Sequence, residues 1–213
     1  MQAETFFTVE DKESIRDAIA AVERTTTGEV AVMVVDRSDT YPEGAVLAGV
    51  ILGGVVALIL TDLLFADSLW YFVPVWAVWS CGIGWLAGQF SPLKRIFLSR
   101  TRLASEVQLR ALRAFYEKGL YKTRDATGVL FFISLFERKV WILADKGIHA
   151  KISGERLQAY AHGVARAIKE GRAAVELCAE IAQVGRVLAE HFPARADDIN
   201  ELSDEVLTES SRR

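Results

Sequence analysis

The sequence predicts an α/β fold: a small mixed β-sheet sandwiched by helices (α/β/α), with a two-helix transmembrane hairpin inserted in it. Three observations carry this prediction. Residues 44–60 and 68–90 contain no charged side chain, and each stretch is about long enough to cross a ~30 Å hydrocarbon core as a helix. The runs 29–36, 128–135 and 139–145 are rich in β-branched and aromatic residues, as expected of buried strands. Around them, apolar residues recur at helical spacing. With the 51% hydrophobic residues so unevenly spread, a purely soluble protein is excluded, and two spans are too few for a large channel or transporter. The remainder is long enough for one globular domain with a core.

Taken in order, the chain starts without a basic segment or an apolar run, so no secretory signal is expected. Thr8 is placed to cap a helix whose first turn holds Glu10 and Asp11 and whose buried face is Ile15, Ala18, Ile19 and Val22. Thr25-Thr26-Thr27-Gly28 stops it, and the first strand follows at Glu29 to Asp36.

The spans come next, about Pro42 to Leu64 and Leu69 to Phe90. Lys94, Arg95, Arg100 and Arg102 follow the second span, whereas the connection between them holds Asp62 and Asp67 and no Lys or Arg. The positive-inside rule then places both chain ends in the cytoplasm, with Asp62 at the outer interface and Trp70 and Tyr71 in an aromatic belt. Gly49 with Gly53 and Gly84 with Gly88 leave two readings open: close-packing stripes, for a hairpin or for a partner helix, or the ordinary glycine content of membrane spans. Neither span has an ionisable residue near its middle, so the pair is expected to anchor, not to conduct. Gly82-x-Gly84-x-x-Ala87 matches a dinucleotide fingerprint only as a string, since it lies inside an apolar segment with no strand before it.

Pro92 is expected to open one long helix to about Lys118, with Leu103, Val107, Ala111, Ala114 and Phe115 on its buried face. Its basic residues, Lys94, Arg95, Arg100, Arg102, Arg110 and Arg113, read either as a solvated face plus topology signal or as a face for anionic lipid. Gly119 ends the helix. Strands two and three are joined by a hairpin turn at Phe136–Lys139 and must be antiparallel. The long connection between strands one and two favours parallel pairing. Helices from about Ser153 to Lys169 and Ala173 to His191 complete the domain, which is thus divided into 1–40, the hairpin 41–91, 92–195 and a loose polar tail 196–213. Cys81 and Cys178 read as small apolar fillers.

Several short motifs occur in a fixed order: Thr27-Gly28-Glu29-Val30; Gly119-Leu120 with Thr123; Thr127-Gly128-Val129-Leu130-Phe131; Glu137-Arg138-Lys139-Val140; Ala144-Asp145-Lys146-Gly147-Ile148; and His191-Phe192-Pro193 with Asp197-Asp198-Ile199-Asn200-Glu201-Leu202. This series resembles the TPM-domain family, and more narrowly its bacterial membrane-protein branch with a span pair inside the domain. The resemblance implies an α/β/α sandwich. It also brings associations with photosystem repair, membrane-receptor modulation, and acid-phosphatase activity with divalent-metal binding. Many members carry a Gly-aromatic-Gly-Leu-Glu run after the third strand. Here Asp145-Lys146-Gly147-Ile148-His149 departs from it at one glycine and at the glutamate.

Known phosphatase and nucleotide signatures are missing. There is no Cys-x5-Arg loop, no Gly-rich loop ending in Gly-Lys-Ser/Thr and no Gly-x-Ser-x-Gly elbow, and Asp36-Arg37-Ser38-Asp39-Thr40 lacks the Asp-x-Asp-x-Thr order. His149, His162 and His191 fall in different elements and read as structural or surface residues. The predicted topology puts Glu29, Asp125 and Asp145 at one sheet edge. Together they are a candidate site for Ca²⁺ or Mg²⁺, which would orient a phosphate and activate water. Otherwise each acid caps an element end or pairs with Arg124, Lys146 or Lys151. Asp197, Asp198 and Asn200 read as a helix cap or turn.

The sequence thus leads to a membrane-anchored protein of the bacterial plasma membrane, with the bilayer and a membrane protein as partners. Its expected role is interaction, assembly or maintenance. The alternative is a divalent-metal-dependent acid phosphatase. Nucleic acid is not an expected partner, because the chain is acidic overall (25 Lys+Arg against 28 Asp+Glu).

Overall fold

Thr8 and Asp11 form a reciprocal capping box, the Thr8 hydroxyl accepting from the Asp11 amide at 3.1 Å, and this starts α1 (Val9–Glu23). The structure, a computed structural model, describes residues 2–65, 69–195 and 204–210. The expected tip acid Asp67 and the Asp197–Asp198–Asn200 group lie outside the described residues. The chain forms two units, Met1–Ser38 with Ala104–Arg213, and Asp39–Leu103.

The first unit is built on a four-stranded mixed sheet, β1 (Val30–Val35), β2 (Val129–Ser134), β3 (Lys139–Ala144) and β4 (Leu207–Glu209), in the order β3-β2-β1-β4. As expected, β1 and β2 are parallel and β2 and β3 antiparallel. Every residue of β1 and β2 is buried because both faces of the sheet are covered. On one face Val30, Val32, Val34, Phe131 and Ile133 pack with Ile15, Ile19 and Val22 of α1. The same cluster takes in Leu157 and Val164 of α7 (Gly154–Lys169), and Ile181, Val184 and Leu188 of α8 (Ala173–His191). Gly185 is where α8 meets α1, since a Cβ there would lie 2.3 Å from Val22 Cγ2. On the other face Met33, Val35, Leu130 and Phe132 pack with Val107, Ala111, Ala114 and Phe115 of α5 (Arg100–Glu117). A fully buried side chain of this size contributes roughly 1.5–3 kcal/mol, so the two clusters hold the unit together.

Two expectations are corrected here. Residues 92–118 are not one helix: α4 (Ser91–Ile96) ends at Phe97, and Ser99 restarts the chain as α5, its hydroxyl accepting from the Arg102 amide at 3.1 Å. Nor are residues 207–210 loose. Leu207–Glu209 pairs in parallel with Met33–Val35, Asp36 N–H donates to the Glu209 carbonyl at 3.2 Å, and the Ser210 hydroxyl donates to Asp36 at 3.0 Å. Three residues among acids make too short an apolar run to stand out as a strand.

The second unit contains α2 (Pro42–Phe65), α3 (Leu69–Gln89) and α4. The first two are long and apolar enough to cross a membrane. Their contact is a seam of small residues: a Cβ on Gly49 would lie 2.5 Å from the Ser80 carbonyl oxygen, and one on Gly53 would lie 2.7 Å from Ser80 Cα. Gly84 faces Gly49 in the same seam, whereas Gly88 faces open space. Three of the four stripe glycines therefore pack the hairpin on itself.

Candidate functional site

Five of the motif segments, Thr27–Val30, Gly119–Thr123, Thr127–Phe131, Ala144–Ile148 and His191–Pro193, meet at one end of the sheet, where β1 and β2 begin and β3 finishes, whereas Glu137–Val140 lies at the opposite end, in the turn from β2 to β3. Val129 N–H donates to the Glu29 carbonyl at 2.8 Å and Asp145 N–H to the Gly128 carbonyl at 2.9 Å, which lines up Glu29, Gly128 and Asp145 across three strands. Around them the threonines act as ties. The Thr127 hydroxyl donates to the Thr27 carbonyl at 3.0 Å, Thr127 N–H donates to the Thr123 hydroxyl at 3.0 Å, and Thr27 N–H donates to the Phe192 carbonyl at 3.0 Å. Gly128 is required by packing, because a Cβ would fall 2.3 Å from the Leu120 carbonyl oxygen. The motifs at this end thus have a physical job: they knit the strand starts to the end of α8 and to the loop after α5.

The three acids named from the sequence do lie at this end, but their side chains are engaged separately. Asp145 caps the short helix α6 (Lys146–His149) by accepting from the Lys146 amide at 2.7 Å. Asp125 pairs with Arg195 at 3.2 Å, a partner the sequence reading did not foresee. Glu29 is buried and lies beside Glu23 rather than in a ring with the other two. Among the described residues, no group of three or more His, Cys, Asp or Glu side chains is placed to hold a metal ion.

What the fold assembles instead is a proton-holding acid that sequence reasoning missed. Glu23, at the end of α1, accepts a hydrogen bond from Val30 N–H at 3.2 Å. Burial pushes its carboxyl up to about 8; the Val30 amide opposes this, and the charges of Glu29 and Asp204 add to it. Around neutral pH this favours the protonated form of Glu23. Nothing in the local sequence marks it, because Asp204 reaches it from the far end of the chain.

At the base of the hairpin, within its own unit, the basic residues after the second span are also committed. Arg102 bridges Asp39 at 2.9 Å and Glu43 at 3.0 Å, with its guanidinium 5.7 Å from the Tyr41 ring centre, and buried Lys94 donates to the Thr40 carbonyl at 3.0 Å. In the other unit Arg110 pairs with Glu117 at 3.2 Å and with Glu209. The basic stripe expected along residues 94–113 is thus partly consumed in internal ion pairs. His149, His162 and His191 lie on α6, α7 and α8, all exposed. Gly82, Gly84 and Ala87 lie in the interior of α3. Cys178 is half-buried, and burial and the charge of Asp11 raise its thiol pKa; Cys81 is exposed on α3.

No family model matches the chain, and no curated protein matches it. Among solved structures it is similar to the NMR structure of the BA42 protein from the psychrophilic bacterium Bizionia argentinensis, with a TM-score of 0.60 and 20% identity over 97% of each chain. At that identity the likeness establishes the shared fold.

Proposed function

We propose that this chain is a membrane-anchored TPM-domain protein that serves as an interaction or assembly and maintenance factor for membrane proteins. In this reading it resides in the bacterial plasma membrane with both termini and the α/β unit in the cytoplasm. The observation that carries it is the insertion of two apolar helices, self-packed through Gly49, Gly53 and Gly84, between β1 and α5 of an α/β fold. A hairpin packed in this way anchors. The positive residues after α3 support the orientation, and the ordered motifs together with the α/β/α architecture support the family. At the acidic end of the sheet Asp145 caps α6 and Asp125 pairs with Arg195.

Co-purification in mild detergent at native expression tests the proposal. A membrane protein recovered repeatedly and in constant ratio is the expected result, and recovery of the chain alone would count against it. Metal-dependent phosphomonoesterase turnover that disappears in Asp145→Ala would replace this reading with the phosphatase one.

A further inference from the structure

α5 is apolar on two opposite sides. Its inner stripe, Val107, Ala111 and Ala114, is spent on the sheet. On the outer side Leu109 is 55% exposed, Leu112 42% and Tyr116 56%, at the three- and four-residue spacing that stacks them on one helix face. Tyr121, 44% exposed, continues the stripe just after the helix, its ring centre 5.2 Å from that of Tyr116. Exposed cations border it: Arg113 and Lys122, the latter with its ammonium 5.7 Å from the Tyr121 ring centre. Of the acids nearby, Glu117 and Glu209 both pair with Arg110, and Glu106 is half-buried.

Leucine and tyrosine in line, flanked by long cationic side chains, is the composition of a helix that lies in a membrane interface. The apolar groups enter the acyl boundary, the tyrosine hydroxyls stay at headgroup level, and the cations meet anionic headgroups. We infer that the outer face of α5 from Leu109 to Tyr121 is a docking surface for an anionic lipid bilayer. This deepens the proposed function and rests on its reading of the hairpin as membrane-inserted. The hairpin tethers α5 to the bilayer through the same chain, because α5 starts eleven residues after α3 ends. A weak surface affinity then suffices, and the charge complementarity selects anionic over neutral lipid. Docking would set the face that the α/β unit turns to its partners.

The test uses full-length protein with Cys81→Ala and Cys178→Ala, reconstituted in nanodiscs of phosphatidylcholine with or without phosphatidylglycerol. A spin label at Leu112→Cys reports collisions with oxygen, which concentrates in lipid, and with a water-soluble nickel chelate. A label at Val55→Cys in α2 is the control for the hairpin. In anionic discs the Leu112 label is expected to favour oxygen. The double variant Arg113→Gln, Lys122→Gln should lower the docked-to-undocked ratio on the order of 30-fold and return the label to water. Chelate access at Leu112 in anionic discs, with lipid-like behaviour at Val55, would overturn the inference and leave the anchor intact. Chelate access at Val55 would overturn the anchor reading itself. Exclusion of both probes at Leu112 would mean that protein covers the stripe, and would overturn lipid docking in favour of a protein contact.

Discussion

Glu23 offers the most quantitative test of the acidic sheet end. Its carboxyl is raised from 4.5 to about 8 in the folded chain. Below pH 4.5 the group is protonated in both folded and unfolded chains, and its contribution to stability is fully present. Between 4.5 and 8 the unfolded chain releases the proton while the folded one keeps it, so stability falls as pH rises, by at most ~1.4 kcal/mol per pH unit for one proton. A shift of this size in a fully buried group would correspond to ~5 kcal/mol in total. Glu23 is only half-buried, and solvent screening reduces the expected loss to about 1–2 kcal/mol. Glu23→Gln keeps the acceptor for Val30 N–H and removes the titration. Thermal unfolding of full-length protein in mild detergent, followed by circular dichroism at pH 5, 6.5 and 8, should show a falling midpoint for the wild type and a flatter profile for the variant. Parallel profiles would refute the assignment of this proton to Glu23.

Four other substitutions follow from the packing. Gly185→Ala drives a methyl into Val22 and should cost about 1–3 kcal/mol in thermal unfolding, with partial recovery in the Gly185→Ala, Val22→Ala double variant. Gly53→Leu cannot be accommodated against Ser80, so spin labels on Leu47 and Leu86 should report a longer mean distance between the spans. Arg110→Ala releases Glu209, and amide exchange over 207–209 should quicken by roughly 3- to 10-fold with little change in β2. Glu180 is buried on α8 with Oε2 lacking a hydrogen-bond partner among the described residues; burial and Glu176 raise its pKa. Glu180→Gln should therefore gain stability relative to the wild type as pH rises above the usual carboxylate range, measured by the same thermal unfolding.

The parts of the fold legible in the sequence are those with strong local signals. Thr8 caps α1 as expected, α7 begins next to Ser153 where a helix start was expected, the charge-free runs became α2 and α3, and the β-branched runs became β1, β2 and β3. Connection length alone gave the pairing directions. The restart at Ser99 was hidden because apolar spacing runs through it, and β4 was hidden because three residues gain strand character only from the β1 edge they join. For the candidate site, sequence topology placed Glu29, Asp125 and Asp145 at the right end of the sheet. It could not foresee that Asp145 would turn to the α6 amide or Asp125 to Arg195, since both choices depend on side-chain direction. Glu23 and Asp204 lie 181 positions apart, so their meeting is purely a product of the fold.

Sidedness of the α/β unit decides whether it lies in the cytoplasm on a two-span anchor. Single cysteines at Glu13 and Glu205, in the chain carrying Cys81→Ala and Cys178→Ala, would be exposed to a membrane-impermeant thiol reagent in right-side-out and inverted vesicles. Both positions are expected to react only in inverted vesicles, as a cytoplasmic domain on a two-span anchor must. Reaction of both only in right-side-out vesicles, or of one position from each side, would contradict that placement.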